Sequence, residues 1–176
     1  MSQIFAIVGP SGVGKDTLIA GAMAQCPDLH LVRRVITRPE AAGGEPFEGV
    51  TPAEFARRKA AGDFALDWEA HGLHYGLPQE AFRVAGDVMF NGSREALTRA
   101  QQVFAGLVVI MITAPDAVLA QRLAQRGRET AEQITARLGR ATFDLPPGVV
   151  PRVVVNDQTP DVGVDRLLAA LYPSRG

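Results

Sequence analysis

The clearest chemistry in this sequence lies in Gly9-Pro10-Ser11-Gly12-Val13-Gly14-Lys15, followed by Asp16 and Thr17. The spacing is G-x-x-x-x-G-K, directly after an apolar run and directly before a helix-like stretch. Glycines at these places let the backbone curl so that successive N–H groups converge on one anion. The helix N-terminus adds its positive end, and Lys15 brings an ammonium to the outer phosphates. Such a loop grips a polyphosphate such as ATP. The residue after the lysine is ordinarily a Ser or Thr whose hydroxyl sits on Mg2+, and here it is Asp16. A carboxylate is also a hard oxygen ligand, so Asp16, directly or through water, or Thr17 in its stead, is the expected Mg2+ contact. The competing role for Asp16 is a helix-start acid that complements the dipole.

A phosphate loop of this kind needs a strand to launch it and a helix to receive it. Apolar runs at Ile4–Val8, Val88–Phe90, Leu107–Ile112 and Val153–Val155 are short and not clearly alternating, as in parallel strands covered on both faces. Helix-like stretches lie between them, at about 15–25, 93–104, 115–126, 131–142 and 161–171. Strands alternating with helices give an α/β fold, with a mainly parallel core sheet flanked by helices. Residues of about 38–85 break the rhythm. After a Gly/Pro/Glu-rich start comes a capping box, Thr51-Pro52-Ala53-Glu54, in which Thr51 caps a helix running through Ala61 and Glu54 reaches back to its start. Short strands are expected around Phe64–Trp68 and Leu73–Tyr75. The insertion reads as a substrate-binding subdomain, with an ornamental excursion as the alternative, and Arg126–Thr130 as the joint of a mobile lid.

With 176 residues, 47% of them hydrophobic, and no long linker, the chain reads as one domain. Its formal net charge of −1 argues against a whole-surface nucleic-acid binder. Yet 16 of the 18 basic residues are Arg, the planar cation that pairs with phosphate through two parallel hydrogen bonds. The lone cysteine, Cys26, forms no internal disulfide and suits a reducing compartment. No leader or membrane span is legible, which makes the cytoplasm the expected location. The three histidines lack metal-ligand spacing.

Beyond the loop, Thr37-Arg38-Pro39, Gly62-Asp63-Phe64, His71-Gly72-Leu73-His74-Tyr75-Gly76 and Val155-Asn156-Asp157 stand in the order and approximate spacing of guanylate kinases, and the resemblance covers nearly the whole chain. It implies a P-loop kinase fold with a core (about 1–37 and 86–176), an acceptor-binding subdomain (about 38–85) and an Arg-rich lid (about 126–137). By the same resemblance Arg38 holds the acceptor's phosphate, and Arg122, Arg126 and Arg137 surround the transferring phosphoryl group. Tyr75 and Glu69 line the acceptor pocket, and Asn156 sits where the adenine side is accommodated, with a simple turn as the alternative; His71 and His74, which lack partners at metal-ligand spacing, read as shaping the acceptor pocket by hydrogen bonding.

The resemblance departs where guanine is read. Arg34 replaces a serine, Leu77 replaces the hydroxyl residue after Tyr-Gly, and Phe90-Asn91-Gly92-Ser93-Arg94 replaces Ile-Asp-Val-Gln-Gly. Leu77 has no hydrogen bond to offer a base. Arg34 is either a pocket cation suited to an acceptor with a second phosphate or an exposed strand arginine. Asp16 after the loop lysine, Ile36-Thr37-Arg38-Pro39, Trp68 ahead of His71-Gly72, and Asn91-Gly92-Ser93-Arg94 together resemble the ribose 1,5-bisphosphate phosphokinase family of bacterial phosphonate degradation. That resemblance implies ATP with Mg2+ as donor, a small phosphorylated sugar as acceptor and Asn91 in the acceptor site. Guanylate kinase activity and a non-catalytic interaction domain are the alternatives. Trp68 reads as core, and oligomeric state is not legible.

Overall fold

The computed structural model describes residues 2–10, 12–39, 47–125 and 145–173. Ser11, the expected lid with Arg126 and Arg137, and the expected helix at 131–142 lie outside the described residues. The strands are β1 (Ile4–Val8), β2 (Leu29–Leu31), β3 (Arg34–Ile36), β4 (Phe47–Gly49), β5 (Phe64–Ala70), β6 (Leu73–Pro78), β7 (Asp87–Asn91), β8 (Val108–Thr113) and β9 (Arg152–Val155). The helices are α1 (Lys15–Gln25), α2 (Pro52–Ala60), α3 (Leu97–Val103), α4 (Asp116–Gln125) and α5 (Pro160–Leu171).

β1 has no polar face because both of its faces are covered. Phe5 and Ile7 enter one core layer with Leu18 and Ile19 of α1, Leu119 of α4 and Val164 and Leu167 of α5. Ala6 and Val8 enter a second layer with Leu97 and Ala100 of α3 and with Leu66, Trp68 and Leu77 from the inserted segment. Each large side chain buried in this way contributes about 1.5–3 kcal/mol. β1 sits in the middle of a five-stranded sheet of order β2-β7-β1-β8-β9, in which every pairing is parallel. The phosphate loop therefore leaves the C-terminal end of a central strand, where open α/β sheets bind ligands.

The inserted segment forms a second sheet of four strands, order β4-β3-β6-β5. β3 pairs parallel to β4 and antiparallel to β6, and β5 and β6 form a hairpin. This sheet begins at Arg34, ahead of the change of rhythm expected at 38. Its hairpin turns on His71-Gly72, with φ of 54° and 73°, both in the left-handed region that a two-residue turn requires. The turn sets the register: Ala70 faces Leu73, Glu69 faces His74, and Trp68 faces Tyr75.

The capping box is half formed. Thr51 Oγ1 accepts from the Glu54 N–H at 3.1 Å, as expected for an N-cap. The Glu54 carboxylate does not reach back; it accepts from Arg57 and Arg58 on its own helix, while Arg58 also grips Glu48 at 2.6 Å. Cationic partners outcompete a backbone N–H for a carboxylate.

At the opposite end of the core sheet from the loop, Asp87 collects two distant partners. The Gln3 N–H donates to its Oδ1 at 2.8 Å and the Tyr172 hydroxyl donates to its Oδ2 at 2.6 Å. Tyr172 also packs edge-on against Phe5, with centroids 5.9 Å apart. Burial, together with the Asp87 carboxylate, pushes its phenol well above the ordinary value. Among the described residues no helix is long and apolar enough to cross a membrane.

Candidate active site

The loop's shape follows from its glycines. A Cβ on Gly9 would come within 2.4 Å of the Ile112 carbonyl oxygen, so only glycine lets β1 pass β8 there. Gly12 and Gly14 have φ of 81° and 88°, and Gly14 is the N-cap of α1. Val13 is anchored in the core beside Ile112 and Leu119. Its carbonyl accepts from Asn156 Nδ2 at 2.7 Å and from Arg122 Nη1 at 3.1 Å, while Arg122 Nη2 donates to the Asn156 carbonyl at 2.7 Å.

Across from the loop stands Arg34 on β3, with only 9% of its surface exposed. Its guanidinium lies 4.9 Å from the centre of the Tyr75 ring, and Tyr75 stacks on Trp68 at 5.3 Å with the planes 6° apart. A column of Trp68, Tyr75 and Arg34 thus presents a cation toward the loop. Burial holds the Arg34 pKa down at about 10, against the pull of Tyr75 and Asp16, with Arg38 lowering it further. Lys15 is pushed down to about 8 by burial and then by Arg34, with Asp16 opposing. Arg38, over the Phe47 ring at 5.4 Å, continues the positive wall. Asn91, buried at the end of β7, donates from Nδ2 to Asp16 Oδ1 at 3.3 Å. Lys15 at the start of α1 and Arg34 and Arg38 on the side of the second sheet therefore lie close enough to repel one another, and an anionic ligand between them would relieve that repulsion.

The structure brings together Lys15, Asp16, Arg34, Arg38, Tyr75 and Asn91, with Gly9, Pro10, Gly12, Val13, Gly14 and Thr17 as the loop around them. Arg34 is buried, which removes the reading of it as an exposed strand arginine. Glu69 does not join the group. It is exposed and follows Trp68 along β5, so the pleat turns it to the face opposite Tyr75. His71 is an exposed turn residue at the hairpin tip, and His74 lies 5.4 Å from Phe55 of α2. Arg122 and Asn156 meet each other and the Val13 carbonyl. Trp68, expected only in the core, is the base of the Arg34 column. The signal for it was the two-residue His71-Gly72 turn, which places Trp68 opposite Tyr75.

Among the described residues no group of three His, Cys, Asp or Glu side chains could cage a metal ion. The loop offers the exposed Asp16 carboxylate, with one oxygen steadied by Asn91, and the adjacent Thr17. That donor set fits Mg2+, which keeps several waters and is bound through one or two protein oxygens plus substrate phosphates.

A glycine loop at the end of the central parallel strand, facing a cationic second sheet, defines a P-loop kinase fold. A guanylate kinase from Anaplasma phagocytophilum shares it with a TM-score of 0.64 at 18% identity, covering 97% of this chain and 84% of that one. A gluconokinase from Sinorhizobium meliloti 1021 follows with 0.56 at 18%, covering 97% and 91%. No family model matches the sequence. Curated relatives are much nearer in sequence. Ribose 1,5-bisphosphate phosphokinase PhnN of Pseudomonas fluorescens is 42% identical over 179 residues, 96% of this chain and 94% of that protein. The Ruegeria sp. protein of the same name is 48% identical over 149 residues, 83% and 78%. The chain belongs to the ribose 1,5-bisphosphate phosphokinase family. It also matches a bifunctional ribose 1,5-bisphosphokinase-thymidine phosphorylase of Cupriavidus necator, 45% identical over 171 residues, and spans 28% of that longer protein.

Proposed function

We propose that the protein transfers the γ-phosphoryl group of ATP to ribose 1,5-bisphosphate, giving 5-phosphoribosyl 1-diphosphate and ADP. The observation that carries this reading is the buried Arg34, stacked on Tyr75 and opposed to Lys15, where a base-reading kinase would present a neutral hydroxyl. Leu77, fully buried beside Val8 and Phe90, leaves no hydrogen-bonding group at the second base-reading position. An acceptor with phosphates at two positions satisfies Arg34 and Arg38 together.

The acceptor oxygen belongs to a phosphate already ionised at neutral pH, so no general base is required. It attacks the γ-phosphorus, the bond to the β,γ-bridging oxygen breaks, and ADP leaves with that electron pair. The obstacle is repulsion between anions, which positioning and cationic stabilisation overcome. Lys15 and the loop amides hold the donor, and Arg34, Arg38 and Tyr75 hold the acceptor in line. Asp16 and Thr17 would hold Mg2+ brought with ATP, which would offset negative charge on the donor's phosphates. The segment of about 38–85 serves as the acceptor-binding part, and that of about 126–137 as a lid supplying Arg126 and Arg137. The lone, disulfide-free Cys26 suits a cytoplasmic setting.

The test is purified protein with Mg-ATP and either ribose 1,5-bisphosphate or GMP, with products followed by phosphorus NMR. A new diphosphate on the sugar is the expected result. Efficient turnover of GMP with none of the sugar overturns the reading, and absence of Mg-ATP binding replaces it with a non-catalytic binding domain.

A further inference from the structure

The glycines that let the phosphate loop curl also let it uncurl. Gly14 has a φ of 88°, and a glycine crosses between positive and negative φ at little cost. The peptide between Val13 and Gly14 is therefore free, on its own, to flip. Its orientation matters because a trans peptide points its C=O and N–H in opposite directions, and the described residues contain no cis peptide bond. With the Val13 carbonyl turned outward, the Gly14 N–H faces the phosphate side. Flipped, the loop would present an oxygen to an anion.

Two side chains remove this freedom. Asn156 Nδ2 and Arg122 Nη1 both donate to the Val13 carbonyl, at 2.7 and 3.1 Å, and Arg122 ties itself to the Asn156 carbonyl at 2.7 Å. The Asn156 N–H is in turn held by the Thr113 carbonyl at 2.7 Å, at the end of β8. Asn156 has no slack. A Cβ on Gly14 would stand 2.8 Å from its Nδ2, and a Cβ on Gly163 would stand 2.5 Å from its Oδ1. The side chain is wedged between the loop and α5, and its Oδ1 is buried with no hydrogen-bond partner among the described residues. Burying that oxygen unpaired is a cost the fold accepts while Nδ2 stays on Val13.

We propose that Arg122 and Asn156 are positioning residues for phosphate binding: by clamping the Val13 carbonyl outward they aim the Gly14 N–H of the same peptide at the donor's phosphates. The proposal rests on the phosphate-loop part of the functional reading and is independent of which acceptor is used.

The experiment is a titration of the full chain with inorganic pyrophosphate, followed by amide NMR and calorimetry, for wild type, Arg122→Met, Arg122→Lys and Asn156→Asp. In the wild type the Gly14 amide proton moves downfield on saturation. In Arg122→Met and Asn156→Asp the Gly14 resonance is displaced before any ligand is added, its response to pyrophosphate is reduced, and affinity falls at least tenfold. Arg122→Lys keeps the charge but cannot span the Val13 and Asn156 carbonyls with one planar fork, so it recovers only part of the lost affinity and leaves the Gly14 resonance displaced. If Asn156→Asp loses amide dispersion, the two Arg122 variants decide. Unchanged affinity in both Arg122 variants overturns the proposal. So does lost affinity with an unmoved Gly14 resonance, which would make Arg122 a direct phosphate ligand, and so does a wild type that binds no pyrophosphate. Failure to turn over ribose 1,5-bisphosphate, with these NMR results intact, would sink the acceptor assignment alone.

Discussion

Arg34 lies over the ring of Tyr75, 4.9 Å from its centre, and so holds a cation at the junction of the two sheets. Hydrogen bonds to a charged group contribute about 1.5–3 kcal/mol, so Arg34→Met is expected to raise KM for ribose 1,5-bisphosphate about 10- to 100-fold. The KM for ATP should stay within about threefold. Steady-state kinetics with each substrate varied in turn make the comparison, and equal losses for both substrates would contradict an acceptor-side role.

Leu77 occupies the position where guanylate kinases carry a hydroxyl, which makes Leu77→Ser a tempting route to GMP activity. The structure predicts otherwise, because Leu77 is fully buried in the core layer shared by the two sheets. Truncating such a leucine costs about 2–5 kcal/mol, and the buried hydroxyl adds to that. Urea denaturation should show this loss, and a gain of GMP turnover without loss of stability would count against the packing described.

Lys15 must be charged to hold phosphate, and its pKa is held down at about 8. Pyrophosphate affinity should therefore fall about tenfold per pH unit above that value. Arg34→Met should move the break upward, since Arg34 helps to lower it. Between about 8 and 10.5 the unfolded chain binds more protons at this lysine than the folded one does, so the stability of the free protein rises with pH there. Comparing urea midpoints across this window for wild type and Lys15→Ala tests the sign. The variant should lose the rise and lose phosphoryl transfer, while remaining folded.

Asp16→Ala is expected to raise the Mg2+ concentration needed for half-maximal activity severalfold, with Thr17→Ala as the companion variant. Mg2+ titration of turnover at saturating ATP reads this directly. An unchanged requirement in Asp16→Ala would leave the carboxylate with its helix-dipole role.

The strands launching and flanking the loop were legible because parallel strands buried on both faces read as unbroken apolar runs. β2, β3 and β4 were not, because a three-residue strand is too short to show a period. That gap hid the environment of Arg34, which the sequence leaves open between pocket and solvent. Glu69 illustrates a different limit. Family resemblance places a residue along a strand, while its face depends on a register in which one step inverts every side chain. Arg122 illustrates a third: its two carbonyl partners lie 109 and 34 positions away, and nothing local announces them.

Asp87 joins residues 3 and 172 at the N-terminal ends of the core strands, while the phosphate loop opens at their C-terminal ends. A strand of this length separates the two regions by roughly 16 Å. Residues 3 and 172, far apart along the chain, are thereby pinned to one carboxylate at the end of the core sheet away from the phosphate loop, so a change at that corner can loosen both end segments while leaving the loop's own contacts in place.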